Sequence, residues 1–333
     1  MLIESSPVGG TRPPDGFRAR PEAALHLSVL AFLFTCLFSS ALHAAEASEP
    51  APLAAQSLLL DVARAGDRLV VVGEHGHILV SQDNGLNWSQ SSVPTRAMLT
   101  AVSFPDAQHG WAVGHDGVIL ATADGGLTWQ KQDDGKGLDT VLLDVHFRDA
   151  RTGFVVGAYG RFFATTDGGK SWTPAKPAAD EVHYNRMTEG PDRYLYLAGE
   201  SGTLLLSSDG GATWIRSDVP YDGSLFGALP LTGGGLLTYG LRGHILRSAD
   251  HGGSWEPISN EVKVLIMGGC VLKNGAIVLG GQGGNFFVSR DGGHHFTAWK
   301  PAGFGTGVSA VIETADGALL AVGEAGAVRL TLP

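Results

Sequence analysis

Charge is scarce in this chain, and cysteine scarcer. Asp, Glu, Lys and Arg make up 17% of the 333 residues, against roughly 25% in an average soluble domain. The basic residues number 23 and the acidic ones 33, a net charge of −10. Without a surplus of Lys and Arg, a phosphate backbone has little to hold it, which excludes nucleic acid as partner. Two cysteines, Cys36 and Cys270, cannot build a disulfide framework. No Walker loop, dinucleotide fingerprint or G-x-S-x-G elbow occurs. Glycine, by contrast, is abundant: 48 residues, without the every-third-residue period of collagen. An apolar content of 44%, with seven Trp and fourteen Phe, excludes disorder. Many glycines, little charge and regular aromatics suggest short strands joined by tight turns.

Only one long apolar run exists, Leu27 to Leu42. It follows Arg18 and Arg20, lies in a stretch without charge from Ala23 to Ala45, and precedes the small residues Ala44, Ala45 and Ala47. A basic flank, a short apolar run and an A-x-A-like end describe a secretory signal peptide. The alternative, an uncleaved anchor, needs about 20 apolar residues. Thr35 before Cys36 makes a poor lipobox. Residues 1–45 are therefore expected to be a signal peptide with an N-terminal extension, and the mature protein to be exported, with Cys270 as its sole thiol.

Beyond residue 57 the chain repeats itself. Octapeptides of the form [Ser/Thr]-x-Asp-x-Gly-x-x-Trp begin at Ser81, Thr122, Thr165, Ser207, Ser248 and Ser289, with Phe296 in place of Trp in the last. A Gly-x-x-Gly pair precedes each: Gly73/Gly76, Gly114/Gly117, Gly157/Gly160, Gly199/Gly202, Gly240/Gly243 and Gly281/Gly284. A seventh pair, Gly323/Gly326, has Thr331 where the octapeptide would start. A period near forty residues, with four short strands per unit, is that of a propeller blade. The expected fold is all-β: a seven-bladed β-propeller of four-stranded antiparallel blades over 58–333, preceded by a linker over 46–57. Because blade seven ends early, residues 49–54 are expected to run beside its last strand as the closing strand.

The aspartates of the octapeptides, Asp83, Asp124, Asp167, Asp209, Asp250 and Asp291, are read as structural. Such an Asp accepts from the amides of the turn between third and fourth strands, and the aromatic residue buries a ring between neighbouring blades.

G-x-x-G followed by [ST]-x-D-G-G-x-[TS]-W, repeated after an export signal and cleanest in GHDGVILATADGGLTW, resembles the bacterial and plastid photosystem II assembly/stability factor family. That family lies within the Asp-box (BNR-like) propellers, and the resemblance covers about residues 55–333. It implies a non-catalytic propeller in the periplasm or thylakoid lumen that assists assembly of a membrane-protein complex: a photosystem, or a transporter of the resistance-nodulation-division type in a non-photosynthetic host. Family members hold their client with a basic patch. The acidic balance here departs from that.

The second class of function is a carbohydrate-binding or sialidase-like Asp-box propeller, with a glycan as ligand. A sialidase needs an F/Y-R-I-P tetrapeptide, and Phe17-Arg18-Ala19-Arg20 lacks its Ile-Pro. No catalytic residues and no cofactor are expected. The HGH triplet at His75/His77 and the pair His294/His295 lack Cys or carboxylate partners at metal spacing, so no metal is expected either. Partner-binding candidates are the turns between second and third strands, which share one propeller face near the central channel: Glu74, His75, His115, Asp116, Tyr159, Glu200, Arg242 and Glu324. Arg186, in a longer connection on the same face, joins them. A second candidate patch, on the opposite face, is Arg68, Arg148, Arg151 and Arg193, suited to a carboxylate. The protein is expected to be monomeric.

Overall fold

The computed structural model describes residues 47–132, 140–179 and 181–333. The expected signal peptide lies outside the described residues, and no helix among those described is long and apolar enough to cross a membrane. Seven antiparallel sheets follow one another along the chain and form a seven-bladed β-propeller. The blades span 59–90, 99–131, 142–174, 184–216, 225–258, 266–299 and 308–330. In each, the strands lie in chain order from the innermost outward. Neighbouring inner strands touch all the way round, and Val308–Glu313 of blade seven meets Leu59–Ala65 of blade one to close the ring.

Second strands are buried along their whole length, as in Gly110–Gly114, Gly153–Gly157 and Leu195–Gly199. A strand covered on both faces reads as a continuous apolar run, not an alternating one. Val70 and Val72 point into the cluster shared with blade two, and Val71 into the cluster shared with blade seven. Seven such clusters occupy the seven interfaces between blades. Trp129, Trp172, Trp214, Trp255 and Phe296 each enter the cluster between their own blade and the preceding one. The octapeptide aromatic is thus the wedge between blades that the sequence indicates.

Inner strands of different blades share no sheet, so their polar groups are met by side chains. Thr100 Oγ1 donates to the Leu142 carbonyl (2.8 Å), Asn185 Nδ2 to Leu225 O (2.8 Å) and Thr188 Oγ1 to Ala228 O (2.7 Å).

Blade seven departs from the expectation twice. Its sheet has three strands, and residues 49–54 do not pair with the last of them, Gly326–Leu330. The linker is held by blade one instead. The Gln90 side chain bonds both the Ala51 amide and the Glu49 carbonyl, and Ser48 N donates to Val93 O. A short 3₁₀ turn at Ala54–Gln56 then lies against the start of Gly326–Leu330 before the chain enters blade one. Pro50 and Pro52 carry no amide with which to join a ladder.

The second departure is a register slip. In blades one to three, Val72 faces Ile78, Val113 faces Ile119 and Val156 faces Phe162. In blade seven Val322 faces Ala327, one residue early. A slip of one turns every side chain to the other face, and Thr331 falls exposed beyond the strand. Among the described residues no outer strand pairs with it.

Candidate functional site

The Gly-x-x-Gly turns build one propeller face. Their first glycine is required by close approach: a Cβ at Gly73 or Gly114 would lie 2.1 or 2.0 Å from the carbonyl oxygen of Leu58 or Met98. The next residue's amide donates to that same carbonyl, as Glu74 N does to Leu58 O (3.1 Å) and His115 N to Met98 O (2.9 Å). Blades three to seven repeat the bond. One position further, the tip residue adopts positive φ: His75 (55°), Asp116 (57°), Tyr159 (56°), Ser201 (53°) and Arg242 (56°). A side chain in the left-handed region costs about 1–2 kcal/mol. The tips are exposed, Tyr159 at 70%. The ring of Tyr159 is braced edge-on by His183 at 4.8 Å, and Tyr221 stacks on His244 at 4.2 Å. Five blades thus present a strained, exposed tip toward the same side.

Other candidates on this face do different work. The carboxylates of Glu74, Glu200 and Glu324 turn back to accept from the amides of Leu58 (3.1 Å), His183 (3.2 Å) and Gly307 (2.9 Å). Each caps the connection into its own inner strand. His115 is half-buried beside its tip. His77 is buried with Nδ1 3.0 Å from Ser57 Oγ, and burial, aided by His75, lowers its pKa. Among the described residues no three His, Cys, Asp or Glu are placed to hold a metal ion.

Arg186 lies elsewhere than expected. It belongs to the inner strand of blade four, Tyr184–Glu189, not to a connection, and reaches across the channel to Asp61 of blade one at 3.1 Å and Asp144 of blade three at 3.6 Å. Both aspartates are buried, and each also accepts from the next blade's inner strand: Asp61 from Val102 N (3.0 Å), Asp144 from Met187 N (2.6 Å). Burial pushes the Asp144 carboxyl up to about 6, against the pull of Arg186. Asp61 raises the Arg186 pKa, keeping the guanidinium charged. The channel is therefore clasped by an Asp–Arg–Asp bridge. Neither aspartate stands out in the sequence as a site, although the same string, Leu-Leu-Asp-Val, opens the inner strands at 59–62 and 142–145.

On the opposite face the octapeptides fold as one motif. Ser81 Oγ donates to Asp83 Oδ1 (2.8 Å), which also accepts from Asn87 N (2.9 Å), while Oδ2 accepts from Asn87 Nδ2 (2.7 Å). Thr, Ser or His takes the place of Asn87 in the others, His295 Nδ1 lying 2.6 Å from Asp291 Oδ2. These bonds lower the carboxyl pKa of Asp83, Asp167, Asp209 and Asp250 to about 2, and lower Asp124 and Asp291 as well.

The arginines of this face are largely engaged. Arg68 donates to Asp124 O at 2.7 Å, pinning the neighbouring blade's turn. Arg148 and Arg193 converge on Glu189 Oε1 at 3.0 and 2.8 Å, with His146 at 3.1 Å from Oε2. Against the opposing effect of burial, His146 and Arg148 lower the Glu189 pKa. Arg151 is exposed on the rim of a groove of about 670 Å³ between blades two and three, which Gln130 and Lys170 also line.

The model of the family described as "Photosynthesis system II assembly factor YCF48" matches residues 80–140 and 135–302. No curated protein matches the chain. Among solved structures, one described as "YCF48 bound to D1 peptide" superposes with a TM-score of 0.69 at 18% identity, covering 84% of this chain and 94% of its own. YCF48 from Cyanidioschyzon merolae gives 0.68 at 16% identity, covering 85% and 97%. The WD40 propeller domain of Doa1 gives 0.65 at 14%, covering 82% and 92%. At such identities the superpositions speak for the propeller fold alone.

Proposed function

From the premise that the chain belongs to the family of the photosynthesis system II assembly factor YCF48, we propose that it is a non-catalytic scaffold. Its client is an exposed segment of a membrane-protein complex, held on the face of the Gly-x-x-Gly turns. One observation carries the choice of face: His75, Asp116, Tyr159, Ser201 and Arg242 are exposed and held at positive φ on a common side. Strained side chains gathered on a rigid surface are a mark of recognition sites. The arginines opposite mostly serve neighbouring turns and Glu189. A related propeller is described as bound to a D1 peptide, which supports a peptide segment as the element recognised.

The charge-free stretch from Ala23 to Ala45 supports export of the mature chain, to the periplasm or, in a photosynthetic host, the thylakoid lumen. There the client is a photosystem in one kind of host and a transporter of the resistance-nodulation-division type in the other. The test is fractionation and capture. A C-terminally tagged chain is expected in the exported fraction, shortened by about 45 residues, and to bring down an inner or thylakoid membrane complex. The purified protein is expected to hydrolyse no sialoside. Cytosolic recovery, or sialoside turnover lost on Glu200→Gln, would overturn the reading.

A further inference from the structure

The third strand of blade seven, Gly326–Leu330, is a sheet edge with no strand beside it among the described residues. In each of the other six blades that place is taken by an outer strand of two or three residues. Natural edges are blunted by Lys, Pro or a bulge, or covered. This one has neither Lys nor Pro, and its register with Leu319–Gly323 runs unbroken. Its single charge, Arg329, is turned away: Nη2 lies 2.9 Å from Asp316 Oδ2, and Nη1 donates to the Asn84 carbonyl. The linker touches the start of the strand at Ala54–Gln56 but is tied to Gln90 and Val93 before it could cover the rest. Two leucines, each 65% exposed, flank the seam. Leu53 precedes the 54–56 turn, and Leu86 follows Gly85, at which a Cβ would meet Leu320.

We infer that this edge is a docking site for an extended, uncharged segment of the client, which adds itself to blade seven as the fourth strand. This rests on the scaffold reading of the preceding section and names where a segment is held. Backbone hydrogen bonds along about 17 Å of edge give affinity with little regard to sequence, the mode of strand addition. Neutralisation of Arg329 by Asp316 and the exposed Leu53 and Leu86 select against charge and for apolar side chains at alternate positions. The edge begins at the Gly-x-x-Gly turn of blade seven, so one client can lie on that face and reach down this blade.

The probe is a nine-residue peptide of alternating Val and Thr, added to the full mature chain and followed by amide hydrogen exchange. Exchange at those amides of Ala327–Leu330 that point away from Leu319–Gly323 is expected to slow at least tenfold. The same peptide N-methylated at alternate residues, unable to donate, is expected to protect nothing. Leu53→Ser combined with Leu86→Ser, both on exposed side chains, is expected to weaken binding severalfold at an unchanged Tm. Equal protection by the methylated peptide, or protection elsewhere only, would overturn the inference. So would protection without peptide that grows with protein concentration alongside a dimer mass, since the occupant is then a second copy. A membrane complex captured while Ala327–Leu330 exchange as in the free protein would sink the edge site but leave the scaffold. Failure to capture any complex would sink the scaffold.

Discussion

Two kinds of residue set the local energetics, and both can be tested singly. At the first glycine of a Gly-x-x-Gly turn the backbone is extended, so the demand is for space rather than for a glycine-only φ. Gly114→Ala, with its Cβ 2.0 Å from the Met98 carbonyl oxygen, is expected to cost about 1–3 kcal/mol as an overpacked site. Gly305→Ala, with nothing within 4 Å, is expected to be neutral or to stabilise by about 0.5 kcal/mol. Urea titration of both variants compares them directly. The carboxylates make opposite contributions to pH dependence. Asp83, Asp167, Asp209 and Asp250 titrate near 2 when folded and near 3.9 when unfolded, so their stabilisation is complete above about pH 4 and is lost as pH falls toward 2. Asp144 is displaced the other way, to about 6. The folded chain takes up its proton first, so its contribution is fullest below about pH 4 and is lost as pH rises through 6. Relative to the Asp144→Asn protein, melting temperature is therefore expected to rise from pH 7 toward 5. His77 pulls the opposite way, since its lowered pKa withdraws stability as pH falls over the same range. Below pH 4 melting temperature is expected to fall. Asp144→Asn, which keeps an oxygen for the Met187 amide, is expected to flatten the upper limb only.

Among the elements, the wedge between blades is the most sensitive. Trp129, 5% exposed in the first interface, is expected to cost about 3–5 kcal/mol as Trp129→Ala, read from the shift in denaturation midpoint. Leu127→Ala, at a side chain 43% exposed, is expected to stay within about 0.5 kcal/mol. Blade count, strand order and the role of Trp129 and its equivalents were legible because each is repeated: six octapeptides and seven glycine pairs report the same local physics. What lies beyond the repetition is not legible in this way. Extending the period backward placed 49–54 beside blade seven, but a counted offset cannot register that Gln90 competes for Glu49 and Ala51. The same offset sets Thr331 at an Asp-box start, whereas the strand is slipped by one residue, Val322 facing Ala327. Glu74, Glu200 and Glu324 follow the first glycine of their turns, but their capping of the Leu58, His183 and Gly307 amides is a matter of side-chain direction that no motif records.

On the scale of the whole ring, the least legible feature is the clasp, since Arg186 and Asp61 stand 125 residues apart in the chain. Two buried carboxylates facing one guanidinium tie blades one, three and four across the channel. Removing the cation alone is expected to cost about 3–5 kcal/mol, because it strands the aspartates. Arg186→Met should show that loss in chemical denaturation, and Asp61→Asn with Asp144→Asn in the same background should recover most of it. With the channel clasped, binding falls to the surfaces, and the central claim is that the Gly-x-x-Gly face holds the client. The most direct measurement is quantitative recovery of the membrane complex on two variants of the tagged chain. Tyr159→Ala with Arg242→Glu alters exposed tips on that face, and Arg151→Glu with Lys170→Glu alters the opposite groove. The expected result is at least a tenfold loss of complex for the first pair and unchanged recovery for the second, at equal melting temperatures. Loss confined to the second pair would contradict the claim.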